Sequence, residues 1–454
     1  MTDSSDHTRR AGILLHPTSL PGGDLTDVTR WLDFLHASGC TVWQMLPLGV
    51  PLSGLSPYQC ASAFAVNPAL FPEARADMRR FTRWRRAQAY WLEDYARFIV
   101  IKRVHHGASW VDWPAALRER HPDALLAVDR THEAELLAVM IEQYRVYVHW
   151  QGIRRAAAER GIALFGDMPI FVAHDSADVW AHPEQFLLDD RGHPTVVTGV
   201  PPDYFSATGQ RWGNPHYNWS LMQAQGFDWW LDRLRYHFEW FDLIRIDHFR
   251  GLVAAWTIPA TEETAINGYW QTVPGAALLE KIQSQMGHIP LVAEDLGIIT
   301  PDVTALRDAF HFPGMAVLQF AFDAHADNPH KPENVGTEIV YYTGTHDNDT
   351  TLGWFTHLPD AVQQHVQQQL NAHNAQQVLD AMCSTVLHSR AAMAILPMQD
   401  ILRLGSEARM NTPGTTNGNW QWRFDWSMLD AELAPRLLAQ LHQTQRTPLH
   451  TLAA

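Results

Sequence analysis

Residues Leu243-Ile244-Arg245-Ile246-Asp247 alternate isoleucine with charge and end on a carboxylate. In a strand, successive side chains point to opposite faces, so Arg245 and Asp247 share one face and Ile244 and Ile246 the other. A strand of this kind suits a sheet with helices on its apolar side and a polar interior on the other. Seven more short β-rich runs accompany it, at 12–15, 41–46, 162–165, 290–294, 315–320, 339–343 and 392–396. Helical patterns fall between several of them. Thr300-Pro301-Asp302 opens one such helix with a capping hydroxyl, a proline at the first helical position and an acid. Val303, Leu306 and Phe310 follow on one face.

Strands that alternate with helices form parallel sheets. Eight such units predict an α/β fold, a (β/α)8 TIM barrel, which needs ~250 residues. The chain has 454 residues. The excess is predicted to lie in long insertions after strands 2 and 3, at about 47–160 and 167–241. A doubly wound open sheet also alternates strands and helices, but it leaves unexplained why polar residues gather at so many strand ends.

Composition narrows the chemistry. The formal charge of −15 argues against a nucleic-acid partner. Lysine occurs only at 102, 281 and 331, never after glycine, so there is no GxxxxGK phosphate loop. No GxSxG elbow, HExxH helix or GxGxxG turn is present. His174 and His182 are the nearest approach to a metal-ligand pair, and no metal site is expected. Cys40, Cys60 and Cys383 are odd in number and lack CxxC spacing, which points to a reducing compartment. The polar start MTDSSDHTRR does not read as a signal peptide, and no apolar run is long enough to span a membrane. A cytoplasmic location is expected. The 19 tryptophans fit core packing, or aromatic platforms for sugar rings.

Barrel active sites lie at the C-terminal strand ends. There the fourth run places Asp247, the fifth Glu294 and the seventh the cluster Thr343-Gly344-Thr345-His346-Asp347-Asn348-Asp349. Each has a plain structural reading: an Arg–Asp pair bracing the sheet, a carboxylate accepting loop N–H bonds, a hydrogen-bonded turn. Together, three acids at the ends of strands four, five and seven suggest glycosidase chemistry, in which two carboxylates flank a glycosidic bond. Arg245 beside Asp247 predicts an ionised nucleophile. Partial burial of Glu294 predicts a raised pKa, suited to a general acid.

Longer blocks carry a resemblance. They are HPTSLPG (16–22), WQMLPL (43–48), SPYQCASAFAVNP (56–68), GDMPIFVAHDSADVW (166–180) and GVPPDYFSATGQRWGNPHYNW (199–219). RIDHFRG (245–251), AEDLG (293–297), PGMAVLQFAFD (313–323), TGTHDND (343–349) and EARMNTPGTTNGNWQWRF (407–424) complete them. The sequence resembles the 4-α-glucanotransferases of the amylomaltase type, in the α-amylase clan. That resemblance implies Asp247 as nucleophile, Glu294 as acid/base and Asp347 as third carboxylate. It implies substrate contacts at Tyr58, Asp203, Gln210, Trp212, Arg245, His346 and Asn419, with residues 202–213 arching over the site. It implies α-1,4-glucan and maltooligosaccharide substrates, glucose as an acceptor, and no organic cofactor or metal. A retaining α-glucan hydrolase using the same acids, and an inactive glucan-binding protein, are the alternative readings. The chain departs from the family pattern at 23–25, where a loop is shortened, at 272–275, at Ala316, and at Arg403, where glycine is common. The expected organisation is one catalytic barrel over 1–454, with an insertion subdomain at 72–160 and a second insertion, carrying the covering loop, at 167–241.

Overall fold

The computed structural model describes residues 9–52, 54–202 and 206–447. Eight parallel strands form the central sheet: β1 (Arg10–Leu14), β2 (Val42–Gln44), β3 (Ala163–Pro169), β4 (Leu243–Asp247), β5 (Leu291–Ala293), β6 (Gly314–Val317), β7 (Ile339–Tyr342) and β8 (Met393–Pro397). Their spatial order, β6-β7-β8-β1-β2-β3-β4-β5, is the chain order rotated in a circle. The Ala293 N–H donates to Pro313 O at 2.9 Å and draws β5 toward β6, so the sheet is a nearly closed (β/α)8 barrel.

Side-chain alternation sorts the core into two layers. Leu14, Val42, Phe165, Val292, Met315, Val317, Tyr342 and Ile395 fill the barrel interior. Ile13, Trp43, Leu164, Ile244, Ile246 and Tyr341 face the surrounding helices and join the larger outer core. Ile244 and Ile246 are buried on that outer face, as the alternation in β4 requires. Gly12 in β1 has no room for a side chain, since a Cβ there would lie 2.4 Å from Val42 O on the neighbouring strand.

The insertions build on this frame. Between β2 and β3 lie the helices Ala89–Val104 and Glu133–Glu159. In the longer helix, Gln143 exchanges hydrogen bonds with the Val66 backbone at 3.0 and 2.8 Å, and the Trp150 indole N–H donates to Trp240 O at 2.8 Å. The residues after β3 and β4 share a second, antiparallel sheet. Its order is Gln210–Pro215, Val196–Val200, Ala254–Pro259, Tyr269–Thr272.

The helix opened by Thr300 spans Pro301–Ala309, with one difference from expectation: the Thr300 hydroxyl donates to the Asp302 carboxylate and caps no backbone N–H. Arg403 has φ of 62°, the left-handed region that favours glycine. This accounts for glycine being common there in the family pattern. Most of the tryptophans are core residues; Trp31, Trp43, Trp110, Trp113, Trp150, Trp180, Trp230 and Trp240 are almost wholly buried. No described helix is long and apolar enough to cross a membrane.

Candidate active site

The strand register assembles the site. Along the β3–β4 pair, Asp167 stands opposite Arg245 and Pro169 opposite Asp247. Paired residues of neighbouring strands point to the same face, so Asp167, Arg245 and Asp247 all face the barrel interior. The Arg245 guanidinium donates to Asp167 Oδ2 at 2.5 Å and to Asp247 Oδ1 at 2.7 Å. One buried cation thus serves two carboxylates.

Tyr58, from the loop after β2, completes the cluster. Its hydroxyl lies 2.7 Å from Asp167 Oδ2 and 2.8 Å from His346 Nε2. A phenol has one proton to give, and Asp167 takes it as an acceptor-only carboxylate. His346 Nε2 is therefore the donor to Tyr58 Oη. Burial holds the His346 pKa below the usual imidazole value, which favours the neutral ring. The rings of Tyr58 and His346 stack with centroids 5.4 Å apart, and the Trp420 ring lies 6.0 Å from each. Trp420 holds φ of 64°, a strained backbone for an aromatic residue, fixed by its N–H donating to Met410 O at 2.7 Å.

Glu294 is tied to the end of β4. Its Oε2 accepts the His248 N–H at 2.7 Å and its Oε1 the Leu296 N–H at 3.1 Å. His248, directly after Asp247, has φ of 56°, which turns its N–H toward Glu294. The backbone completes the clamp: Glu294 N–H donates to Ile246 O, and Phe249 N–H to Glu294 O. On the far side, Asp347 Oδ1 accepts the Asn411 side-chain amide at 2.6 Å, and Arg409 donates to Asp347 O at 2.8 Å.

Burial pushes Asp247 up to about 8; Arg245 opposes this, and the Asp167, Glu294 and Asp347 carboxylates add to it. Arg245 favours the ionised form of Asp247, as their shared face leads one to expect, but burial outweighs it and the guanidinium is shared with Asp167. Burial also raises Glu294, against Arg245 and the two N–H bonds. The direction expected for a general acid is present.

Of the other residues singled out, Trp212 lies in the second sheet, with its ring 4.8 Å from that of His248, edge to face. Its indole N–H donates to Gln210 Oε1 at 3.1 Å. Trp212 thus stands beside the residue that follows Asp247, and Gln210 is held next to Trp212. Asn419 is buried, and its amide is bonded to Thr412 N–H, Thr415 O and Thr415 Oγ1. It sits behind Trp420 and holds the loop. Asp203 lies outside the described residues. Among the described residues, no group of three or more His, Cys, Asp or Glu is arranged to hold a metal ion.

Sequence reading missed Asp167 and Asn411 as members of the site. Asp167 was within reach: β3 runs on to Pro169 instead of stopping at 165, and its alternation then puts an aspartate inward, as in β4. Asn411 gave no signal, since it reaches Asp347 from a loop more than sixty residues away in sequence.

Comparison with known proteins points one way. A family model described as 4-alpha-glucanotransferase matches residues 15–74 and 69–429. The 4-alpha-glucanotransferase of Thermus thermophilus is 44% identical over 495 residues, covering 96% of this chain and 99% of its own. That of Synechocystis sp. is 43% identical over 486 residues, covering 94% and 96%. An amylomaltase from Streptococcus agalactiae, solved in complex with acarbose, superposes with a TM-score of 0.92 at 30% identity, covering 97% of this chain and 100% of that one.

Proposed function

This chain belongs to the 4-alpha-glucanotransferase family, and from that premise we propose which side chains carry out the transfer. The enzyme moves α-1,4-glucan segments from a maltooligosaccharide donor to an acceptor sugar, glucose among them. Asp247 attacks the anomeric carbon while Glu294 protonates the departing glycosidic oxygen. The bond to the leaving sugar breaks as the ester to Asp247 forms. Glu294 then takes the proton of an acceptor 4-hydroxyl, whose oxygen displaces Asp247 and restores the original configuration.

The observation that carries this reading is the shared clamp on the two acids. Asp247 is bonded to Arg245, and Glu294 is bonded to the N–H of the residue that follows Asp247. Burial raises the pKa of both carboxyls, and the Glu294 charge adds to the rise at Asp247. Arg245 opposes the rise at both acids, joined at Glu294 by two N–H bonds. The first step requires the charge on Asp247 and the proton on Glu294, and the Arg245 bond to Asp247 favours that arrangement.

Asp347, held by Asn411, is assigned to the ring hydroxyls of the distorted sugar. Tyr58, Arg245 and His346 form the floor under that sugar. Gln210 and Trp212 line the covering side, and Asn419 acts through the loop that sets Trp420. Transfer wins over hydrolysis when an acceptor is held and water is kept out. Trp212 over His248 supports the covering segment in that role. The cysteines are unpaired, which supports a reducing location such as the cytoplasm.

The test is the product profile from maltotriose. Glucose together with maltopentaose and longer chains is expected; glucose and maltose alone would mean hydrolysis. Asp247→Asn is expected to abolish both products with the fold intact by circular dichroism. Surviving transfer in that variant would remove Asp247 from the nucleophile role.

A further inference from the structure

The loop 410–420 carries two supports of the site. Asn411 holds the Asp347 carboxylate, and the Trp420 ring lies 6.0 Å from those of Tyr58 and His346. The base of the loop is closed by the Trp420 N–H, which donates to Met410 O at 2.7 Å. Across its middle, Asn419 Oδ1 accepts the Thr412 N–H at 3.0 Å, and Asn419 Nδ2 donates to Thr415 O and Thr415 Oγ1, each at 3.0 Å. Between Thr415 and Asn419 lie only Thr416, Asn417 and Gly418, all exposed.

Asparagine followed by glycine occurs twice in the chain, at 267–268 and 417–418. Such a pair is chemically labile, because glycine has no side chain to hinder its amide nitrogen from reaching the preceding side-chain carbonyl carbon. The two pairs differ in their surroundings. Asn267 Nδ2 donates to Glu262 Oε2 at 2.8 Å, and a Cβ on Gly268 would lie 2.4 Å from Trp256 Nε1. That pair is held on both sides. Asn417 makes no hydrogen bond or ion pair among the described residues. Beyond its chain neighbours, no atom lies within 4 Å of the place a Cβ on Gly418 would take. This pair is free to reach the geometry of attack.

We propose that Asn417–Gly418 is a site of spontaneous covalent modification, and that the lesion unfastens the loop that supports the active site. The Gly418 amide nitrogen loses its proton to solvent base and attacks Asn417 Cγ. A C–N bond forms, the bond from Cγ to the side-chain nitrogen breaks, and that nitrogen leaves as ammonia with a proton from water. Water then opens the five-membered imide at either carbonyl, giving aspartate or isoaspartate. The isoaspartate product routes the main chain through the former side chain, so it adds one methylene between Thr415 and Asn419. The Asn419 bonds back to Thr415 span that same segment and are lost with its length. Trp420 and Asn411 lose their setting with them.

The experiment ages the full chain in mildly alkaline buffer and samples it over time. Peptide mapping by mass spectrometry, with isoaspartate read by enzymatic carboxyl methylation, follows both asparagines. Asn417 should convert first and Asn267 should lag behind it. Maltotriose turnover should fall in proportion to the isoaspartate at 417. Asn417→Gln, whose longer side chain closes such a ring far more slowly, should keep its turnover through the same ageing. Asn417→Asp carries the charge without the extra methylene, and when fresh it should match wild type. Conversion of Asn267 ahead of Asn417 overturns the proposal. So does turnover that persists in chains converted at 417, or an equal loss in aged Asn417→Gln. The mass readings are independent of the transferase reading: fresh wild type without transfer would sink that reading, while the order of conversion would still decide this one.

Discussion

Asp247 carries a thermodynamic cost in its ionised form. Its carboxyl is 29% exposed and within reach of three other acids, and its pKa is raised from 3.8 to about 8. A carboxyl whose folded pKa is raised binds its proton more tightly in the folded chain than in the unfolded one. Stability is therefore lost as pH rises from about 4 to about 8, the interval between the two values. Asp247→Asn removes this dependence and leaves Arg245 paired with Asp167. After solvent screening, the gain at pH 8 is on the order of 1–2 kcal/mol, or roughly 2–4 °C in melting temperature. The advantage over wild type should shrink when both proteins are melted at pH 5. A variant that is less stable than wild type at pH 8 would refute this account. The carboxylates that the barrel gathers at its strand ends were legible in the sequence because a strand ending in a carboxylate is a local pattern. Their electrostatics were not, because the competition between Asp167 and Asp247 for one guanidinium depends on strand register, which no single strand reveals.

At the scale of elements, the eight barrel strands were legible and the second sheet was not. Barrel strands are buried on both faces and read as continuous apolar runs. The strands Val196–Val200 and Gln210–Pro215 contain Gly199 and Gly213 and pair through an irregular register, so they read as turn-rich loop. Gly199 shows the reason for the glycine, as a Cβ there would lie 2.1 Å from Gln210 O. Strand ends also need ties that sequence does not announce. Asp400, just past β8, accepts from Thr343 Oγ1 at 2.6 Å, Thr351 N–H at 2.8 Å and Thr351 Oγ1 at 2.7 Å. This buried carboxylate fixes the end of β7, from which His346 and Asp347 project. Asp400→Ala leaves two hydroxyls and an N–H without their acceptor, at a cost of roughly 2–4 kcal/mol. In urea melts the midpoint should fall accordingly, while Asp400→Asn, which keeps one acceptor oxygen, loses less. Equal midpoints for Asp400→Ala and wild type would show that the ties contribute nothing.

For the whole molecule, the question is whether the insertions are separate from the barrel. The helix Glu133–Glu159 argues that they are not, and we propose one cooperative unit over the described chain. Its 27 residues bond to Val66 through Gln143, and to Trp240, Glu239 and Asp242 through Trp150 and Arg154. It also packs Trp150 against Trp240 at 5.8 Å, directly behind β4. Residues 72–160 include this helix, so excising them would strip the outer face of β3 and β4 and expose Trp240 and Phe241, both now buried. A barrel lacking that cover cannot bury its apolar strand faces, and the excised variant should be recovered only as aggregate. In the intact chain the same contacts predict a single thermal transition. Tryptophans lie both in the insertion (Trp84, Trp91, Trp110, Trp113) and around the barrel (Trp31, Trp43, Trp240), so fluorescence reports on both parts. Fluorescence and far-ultraviolet circular dichroism should therefore trace one coincident curve. Two resolved transitions, with the earlier one leaving maltotriose turnover intact, would show that the insertion folds as a unit of its own.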